Sequence, residues 1–282
     1  MSKILAVDLG NFNIKTSEGV IFQSRFKEVK EEFSNSGCFE FEDKLYEMEI
    51  GSFDNTYNKA EKNYLPNLMY AFYKSIKEVT ENINLVLGVP ASNLGIKDNF
   101  KEELEGKTFE FGVDNDKKIV TINKVATVAE GLSSFYTLRK EQRVKDTIII
   151  DIGGRTINVC IFVNNKCIDK FTIPFGMINL YDNIAENYNS RGNNATTEEV
   201  IRLITNKDIK GEKEKEEFVL NMLNSIKLRI SKIETYNIYV TGGGSLELDT
   251  QLRENIKDYE SIPNPLFSNV YGNKAIAELK WK

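Results

Sequence analysis

The chain has 282 residues, 41% hydrophobic and 28% charged, which suits an ordinary soluble protein of two modest domains or one large one. A net charge of −5 and a pI near 5.2 argue against a nucleic-acid groove, and no apolar run approaches the roughly 18 residues that a membrane helix needs. Histidine is absent, which excludes Ser-His-Asp and Cys-His catalysis, His-ligated zinc and phosphohistidine transfer. The amino terminus leads straight into a strand, which is not expected of a signal peptide. Cys38, Cys160 and Cys167 are odd in number and lack paired metal spacing, so they are expected as reduced, half-buried thiols of a cytoplasmic protein.

The first elements are strands at Ile4–Val7, Ile14–Thr16 and Val20–Phe22, the opening meander of a sheet. Phe26 to Phe53 reads as irregular, with short alternating pieces at Cys38–Phe41 and Leu45–Ile50. From Lys59 onward, Leu65, Leu68, Met69, Phe72, Tyr73, Ile76 and Val79 follow helical spacing, and Pro66 marks the start of that helix. Leu85–Val89 is a buried strand ended by Pro90, and Asn99–Leu104 is a short helix. Phe109–Val113 and Ile119–Ile122 form a hairpin around Asn115-Asp116, and a helix is expected over Thr127–Lys140.

A second series then begins. Strands are expected at Thr147–Asp151, Ile157–Val163 and Cys167–Ile173, with Asn164-Asn165 as a hairpin turn. Helices follow at Ile178–Asn189, Thr197–Thr205 and Phe218–Tyr236, the last with Phe218, Met222, Ile226, Ile230 and Ile233 on one face. The charged stretch Lys207–Glu217 reads as a solvated loop and helix start. Ile238–Thr241 is a strand running into Gly242-Gly243-Gly244. Strands and helices thus alternate twice in one order, which predicts two related α/β domains with a boundary near Val144–Thr147 and a ligand between them.

The most informative pattern is a repeat. DLGNFNIK, from Asp8 to Lys15, returns in outline as DIGGRTIN, from Asp151 to Asn158, 143 positions later (151 minus 8). Each copy follows an apolar strand and supplies an acid, then glycine, then short polar residues, then a return strand. Glycine lets backbone N–H groups approach anionic oxygens closely. Asp8 and Asp151 suit a metal ion held through water, since Mg2+ keeps much of its hydration shell. Lys15 reaches back toward β- and γ-phosphates as a point charge. The triple glycine offers a bare backbone to a purine or a phosphate. Neither G-x-G-x-x-G nor G-x-x-x-x-G-K-[ST] occurs, so a dinucleotide fold and a P-loop have no support.

The order DLGNFNIK, VATVAEGL, IIIDIGGRTINV, VTGGGSLEL, FSNVYGN resembles the five-part nucleotide-binding signature of the actin/hexokinase superfamily. Within it, the chain is most similar to the bacterial plasmid-partitioning actin-like ATPases of the ParM/StbA type. The resemblance spans Asp8 to Gly272. It implies two actin-like (ribonuclease H-like) domains with a nucleotide cleft between them: residues 1–145, completed by 265–282, and residues 146–264. Asp8, Gly10, Asn11, Asn13 and Lys15 would form one phosphate loop, and Asp151, Gly153, Gly154, Arg155 and Thr156 the other. Gly242, Gly243 and Gly244 would back the adenosine, and Asn269 and Gly272 match the last connecting segment. Glu130 falls where the family places the acid that orients the attacking water, although a glutamate at a helix N-terminus is also favoured by the helix dipole. Asn158 stands where the family often carries an acid, and Arg155 where a small polar residue is usual. The implied activity is hydrolysis of Mg-ATP, with GTP also possible, coupled to a self-assembled filament that moves plasmid DNA through a ParR-like adaptor, without direct DNA or membrane binding. The same loops serve small-molecule kinases of the superfamily (sugar, acetate or pantothenate type) and would serve a non-hydrolysing nucleotide-binding scaffold.

Overall fold

The computed structural model describes residues 2–30, 37–53, 63–89 and 97–281. These divide into two compact units, Met1–Thr137 with Phe267–Lys282, and Leu138–Leu266. Among the described residues, no helix is long and apolar enough to cross a membrane.

The first unit begins with β1 (Lys3–Leu9), β2 (Asn13–Thr16) and β3 (Ile21–Gln23), the expected meander. β4 (Phe26–Val29), β5 (Phe39–Phe41) and β6 (Lys44–Met48) follow, so the region read as irregular supplies three strands. The β5–β6 turn places Glu42 and Asp43 at φ of 51° and 57°, a left-handed pair that suits a two-residue hairpin. The first helix, α1 (Leu65–Ser75), opens with Pro66 in its first turn, as anticipated. It stops at Ser75 instead of running to Val79 because Ile76 turns extended, and the Lys118 ammonium donates to the Tyr73 and Ile76 carbonyls. Lys59 and Pro90, the expected flanks of this region, lie outside the described residues.

Next come β7 (Thr80–Val89), α2 (Lys97–Leu104), β8 (Thr108–Val113), β9 (Asp116–Ala129) and α3 (Leu132–Phe135). The β8–β9 turn is Asp114-Asn115, since Asp116 already pairs with Val113. The helix expected over Thr127–Lys140 is largely strand and turn. Residues Thr127 to Ala129 pair in parallel with Leu87 to Val89, a register that suits β-branched side chains, and helix survives only over Leu132–Phe135. The described strands form one nine-stranded sheet in the order β3-β2-β1-β7-β9-β8-β5-β6-β4.

The second unit holds β10 (Thr147–Ile152), β11 (Ile157–Val163), β12 (Lys166–Ile173), α4 (Met177–Asn189) and α5 (Thr197–Thr205). Asn164 and Asn165, at φ of 50° and 62°, make the expected left-handed turn between β11 and β12. Helix α5 starts where Thr196 and Glu199 close a reciprocal capping box. Helix α6 spans Glu212–Lys227, not Phe218–Tyr236. Its start is set by Gly211 at φ 64°, and Glu212 and Glu214 stabilise the positive end of the dipole. Ile230 and Ile233 are still buried, but from the turn that follows the helix. Then come β13 (Asn237–Thr241), α7 (Gly243–Glu247), α8 (Asp249–Asn255) and β14 (Tyr259–Ser261). The sheet order is β12-β11-β10-β13-β14. The three cysteines are free thiols, Cys160 buried and Cys38 and Cys167 partly so.

The chain returns to the first unit as α9 (Ser268–Lys280). Strand alternation in β1 explains why helices are needed on both faces. Leu5, Val7 and Leu9 face a core with Leu68 and Phe72 of α1, whereas Ala6 packs with Val86, Val270 and Ala277, the last two from α9. The two sheets share a frame: β3-β2-β1-β7-β9 matches β12-β11-β10-β13-β14 in order and in strand sense, with β1 parallel to β7 and β10 parallel to β13.

Candidate functional site

The two repeated segments are tight hairpins of one register. In the first, Asp8 pairs with Lys15 and Leu9 with Ile14; in the second, Asp151 pairs with Asn158 and Ile152 with Ile157. The loop residues are Gly10 to Asn13 and Gly153 to Thr156. A Cβ on Gly10 would stand 2.3 Å from the Asn13 carbonyl oxygen, and one on Gly153 would stand 2.9 Å from that of Thr156. Only glycine fits either position without moving backbone, and the two contacts are again 143 residues apart.

Asp8 is buried at 5% exposure at the end of β1. Its Oδ2 accepts from Lys15 Nζ at 3.0 Å, so the first hairpin neutralises its own acid across the strand pair. The loop is tied to the sheet edge by Ser24 N, which donates to the Phe12 carbonyl at 2.9 Å. Asn11 is 8% exposed, and its Oδ1 has no hydrogen-bond partner among the described residues. Asn13 begins the return strand.

Asp151 is equally buried at 4%, but its cross-strand neighbour Asn158 accepts at Oδ1 from Thr172 Oγ1 at 2.8 Å, a neutral contact in place of the ion pair. This loop is held by a helix end. Met177 N and Ile178 N of α4 donate to the Gly153 and Gly154 carbonyls at 3.0 and 2.8 Å. Gly176 permits that approach, since a Cβ there would stand 2.6 Å from the Gly153 oxygen. Arg155 is buried within the loop and Thr156 is partly exposed.

The triple glycine divides by role. Gly242 has φ 84°, and a Cβ there would stand 2.4 Å from the Ile152 oxygen and 2.5 Å from Asp151 Oδ1. It is a backbone requirement beside the carboxylate. Gly244 lets α7 sit on β10, with Ile152 Cγ2 2.2 Å from its would-be Cβ. A Cβ on Gly243 would meet Leu266 at 3.5 Å, an ordinary contact among the described residues.

Glu130 follows β9 directly and does not begin a helix, so the dipole reading of this residue is corrected: its N–H donates to the Val89 carbonyl at 2.8 Å, and Gly131 turns at φ 75°. It is 8% exposed. Asn269 and Gly272 lie behind this turn. Asn269 Oδ1 accepts from Gly131 N at 3.0 Å, Ser133 Oγ at 3.2 Å and Ser134 Oγ at 2.8 Å. A Cβ on Gly272 would stand 2.0 Å from the Ser133 carbonyl oxygen. These two α9 residues fix the peptide that presents Glu130. Gly88, Gly176, Ser133 and Ser134 also shape these sites from outside the sequence motifs, and Asn273, the last residue of FSNVYGN, does so without a role assigned from the sequence.

Residues 6–132 match the model of the N-terminal domain of actin-like proteins. Comparison with curated proteins gives no match. Solved structures similar to the chain include the non-polymerisable quadruple mutant of pCBH ParM, with 19% identity, TM-score 0.82, and coverage of 99% of this chain and 100% of that one. An archaeal actin homolog in complex with ADP shows 16% identity and TM-score 0.82 over 98% of this chain and 99% of that one. The AlfA filament bound to AMPPNP shows 19% identity and TM-score 0.67 over 100% of this chain and 98% of that one. The chain therefore has the fold of actin homologues, and its residues 6–132 match the N-terminal domain of actin-like proteins.

Proposed function

We propose that this chain is a filament-forming actin-like ATPase, or GTPase, that segregates plasmid DNA through an adaptor in the cytoplasm. The observation that carries the reading is the pair of hairpins with matched register, each ending an apolar strand in a buried aspartate before an obligatory glycine. Similar folds bound to ADP and AMPPNP, and one in a filament, support it.

The donor set fits a magnesium nucleotide. Each hairpin offers one buried carboxylate, Asp8 or Asp151, which suits an ion that keeps its water shell. When bound, Mg2+ would neutralise charge on the phosphate oxygens. Gly10, Asn11, Asn13 and Lys15 from one loop, and Gly153, Gly154, Arg155 and Thr156 from the other, would supply N–H groups and positive charge to the phosphates. Gly242, Gly243 and Gly244 would lie against the adenosine. Asn269 and Gly272 would act behind Glu130, holding its turn. Glu130 would orient the attacking water and accept its proton. Loss of the γ-phosphate would remove contacts shared by the two hairpins and change how successive subunits fit. Head-to-tail contacts that do not close a ring give an open filament. The acidic balance of the chain agrees with an adaptor, ParR-like in kind, making the DNA contact.

Light scattering with Mg-ATP and with a non-hydrolysable analogue tests this. Scattering should rise in both, and persist in the analogue; a flat signal well above micromolar protein would reject assembly and leave a monomeric kinase or a scaffold. Glu130→Ala should still bind and assemble but hydrolyse about 100-fold more slowly, and an unchanged turnover would remove Glu130 from its role.

A further inference from the structure

Three polar side chains of the first unit converge over one glycine. Gly88 lies near the end of β7, beside Asp8, because the parallel register runs Leu5 to Leu85, Ala6 to Val86 and Val7 to Leu87. A Cβ built on Gly88 would stand 3.5 Å from Asn273 Nδ2, 3.6 Å from Glu130 Cγ and 3.8 Å from Asp8 Oδ1. Those are ordinary contact distances, so alanine fits there. Unlike Gly10 or Gly242, then, Gly88 is not needed by the backbone; its missing side chain leaves room for a methyl-sized group beside Asn273 Nδ2, Asp8 Oδ1 and the methylene that carries the Glu130 carboxylate.

Asn273, on α9, is 1% exposed, and neither its Oδ1 nor its Nδ2 has a hydrogen-bond partner among the described residues. Burying an unsatisfied donor or acceptor is costly. A carboxamide supplies both a donor and an acceptor, and a water molecule can satisfy buried groups of this kind when several polar partners surround it.

We propose that Asn273 is a positioning residue for hydrolysis, holding the attacking water against Glu130 in the space above Gly88. The inference rests on the ATPase reading. Asn273 Nδ2 donates to one lone pair of the water oxygen while the Glu130 carboxylate accepts one of its hydrogens. On attack, the other lone pair forms the bond to the γ-phosphorus. The bond from that phosphorus to the bridging oxygen breaks, its electron pair leaves with the diphosphate, and the water proton passes to Glu130.

The test compares wild type, Asn273→Leu and Gly88→Ala by thermal unfolding, Mg-nucleotide affinity and single-turnover hydrolysis. Asn273→Leu removes both polar atoms at similar size, so the melting temperature should hold or rise while turnover falls at least about tenfold. Gly88→Ala fills the same space without strain and should show the same split. Affinity should change less than about twofold in both, because neither side chain is assigned to the phosphates or the base. Should Asn273→Leu fail to fold, Gly88→Ala carries the test alone. Wild-type turnover in Gly88→Ala, or in a folded Asn273→Leu, overturns the inference and leaves the ATPase reading intact. A wild-type chain without turnover overturns both.

Discussion

The two hairpins have the same register and the same obligatory glycine, yet they handle their buried aspartates in different ways. Asp8 meets Lys15 across the strand pair at 3.0 Å, whereas the residue facing Asp151 is Asn158, bonded to Thr172. Their supports differ as well: the sheet edge at Ser24 holds the first loop, and the N-terminus of α4 holds the second. Backbone geometry has preserved the repeated frame, while the charge and the scaffolding around each copy have diverged. The first hairpin sets a lysine across the strands from its acid; the second sets a neutral asparagine there.

The largest effect should separate Gly242, just past β13, from Gly88, near the end of β7. Gly242→Ala combines a left-handed backbone with contacts of 2.4 and 2.5 Å to Ile152 and Asp151, so it should cost about 2–4 kcal/mol in urea unfolding. Gly88→Ala should lie within about 0.5 kcal/mol of wild type. Equal losses would mean that the two positions are under the same constraint. A smaller contrast is expected across the strands. Lys15→Met leaves Asp8 buried without its ion pair and should destabilise by about 3 kcal/mol, against about 1 kcal/mol for Asn158→Ala. Similar costs in urea would show that Lys15 is no counter-charge to the fold.

The smallest effect lies at Glu18, beyond the first hairpin, where Lys3 and Lys274 meet it at 3.1 and 3.0 Å. Partial burial alone would raise its pKa, but hydrogen bonds from Lys274 and Lys3 outweigh that and hold it below the ordinary carboxylate value. A carboxylate with a lowered folded pKa contributes stability above its unfolded pKa and loses it as pH falls through the folded value. Glu18→Gln should therefore cost about 0.5–1 kcal/mol near neutrality and nothing in strong acid. A cost that does not change with pH would argue that charge is not what Glu18 provides.

Much of this frame was legible in the chain because its signals are local. The acid-glycine hairpins, the Asn164-Asn165 turn and the helix start at Pro66 each lie within a few residues. What was illegible depended on distant partners. Thr127 to Ala129 became strand because β7 lies beside them, not because the segment lacks helical spacing. The β5–β6 hairpin turns on Glu42 and Asp43, poor advertisements for left-handed backbone. The charged stretch Lys207–Glu217 reads as loop and helix start, but the point at which one becomes the other is set by Gly211. Asn273 ends the FSNVYGN segment, but it meets Gly88 and Glu130 only through sheet register and the docking of α9, so the motif gives it no role.

The central proposal is that each hairpin engages nucleotide. Hydrogen–deuterium exchange of the full chain, with and without a magnesium complex of a non-hydrolysable triphosphate, measures this at each loop separately. Slowed exchange is expected in peptides covering Asp8–Lys15 and Asp151–Asn158 alike, at the same nucleotide concentration. Protection confined to one hairpin, or absent from both while nucleotide is bound, would contradict it.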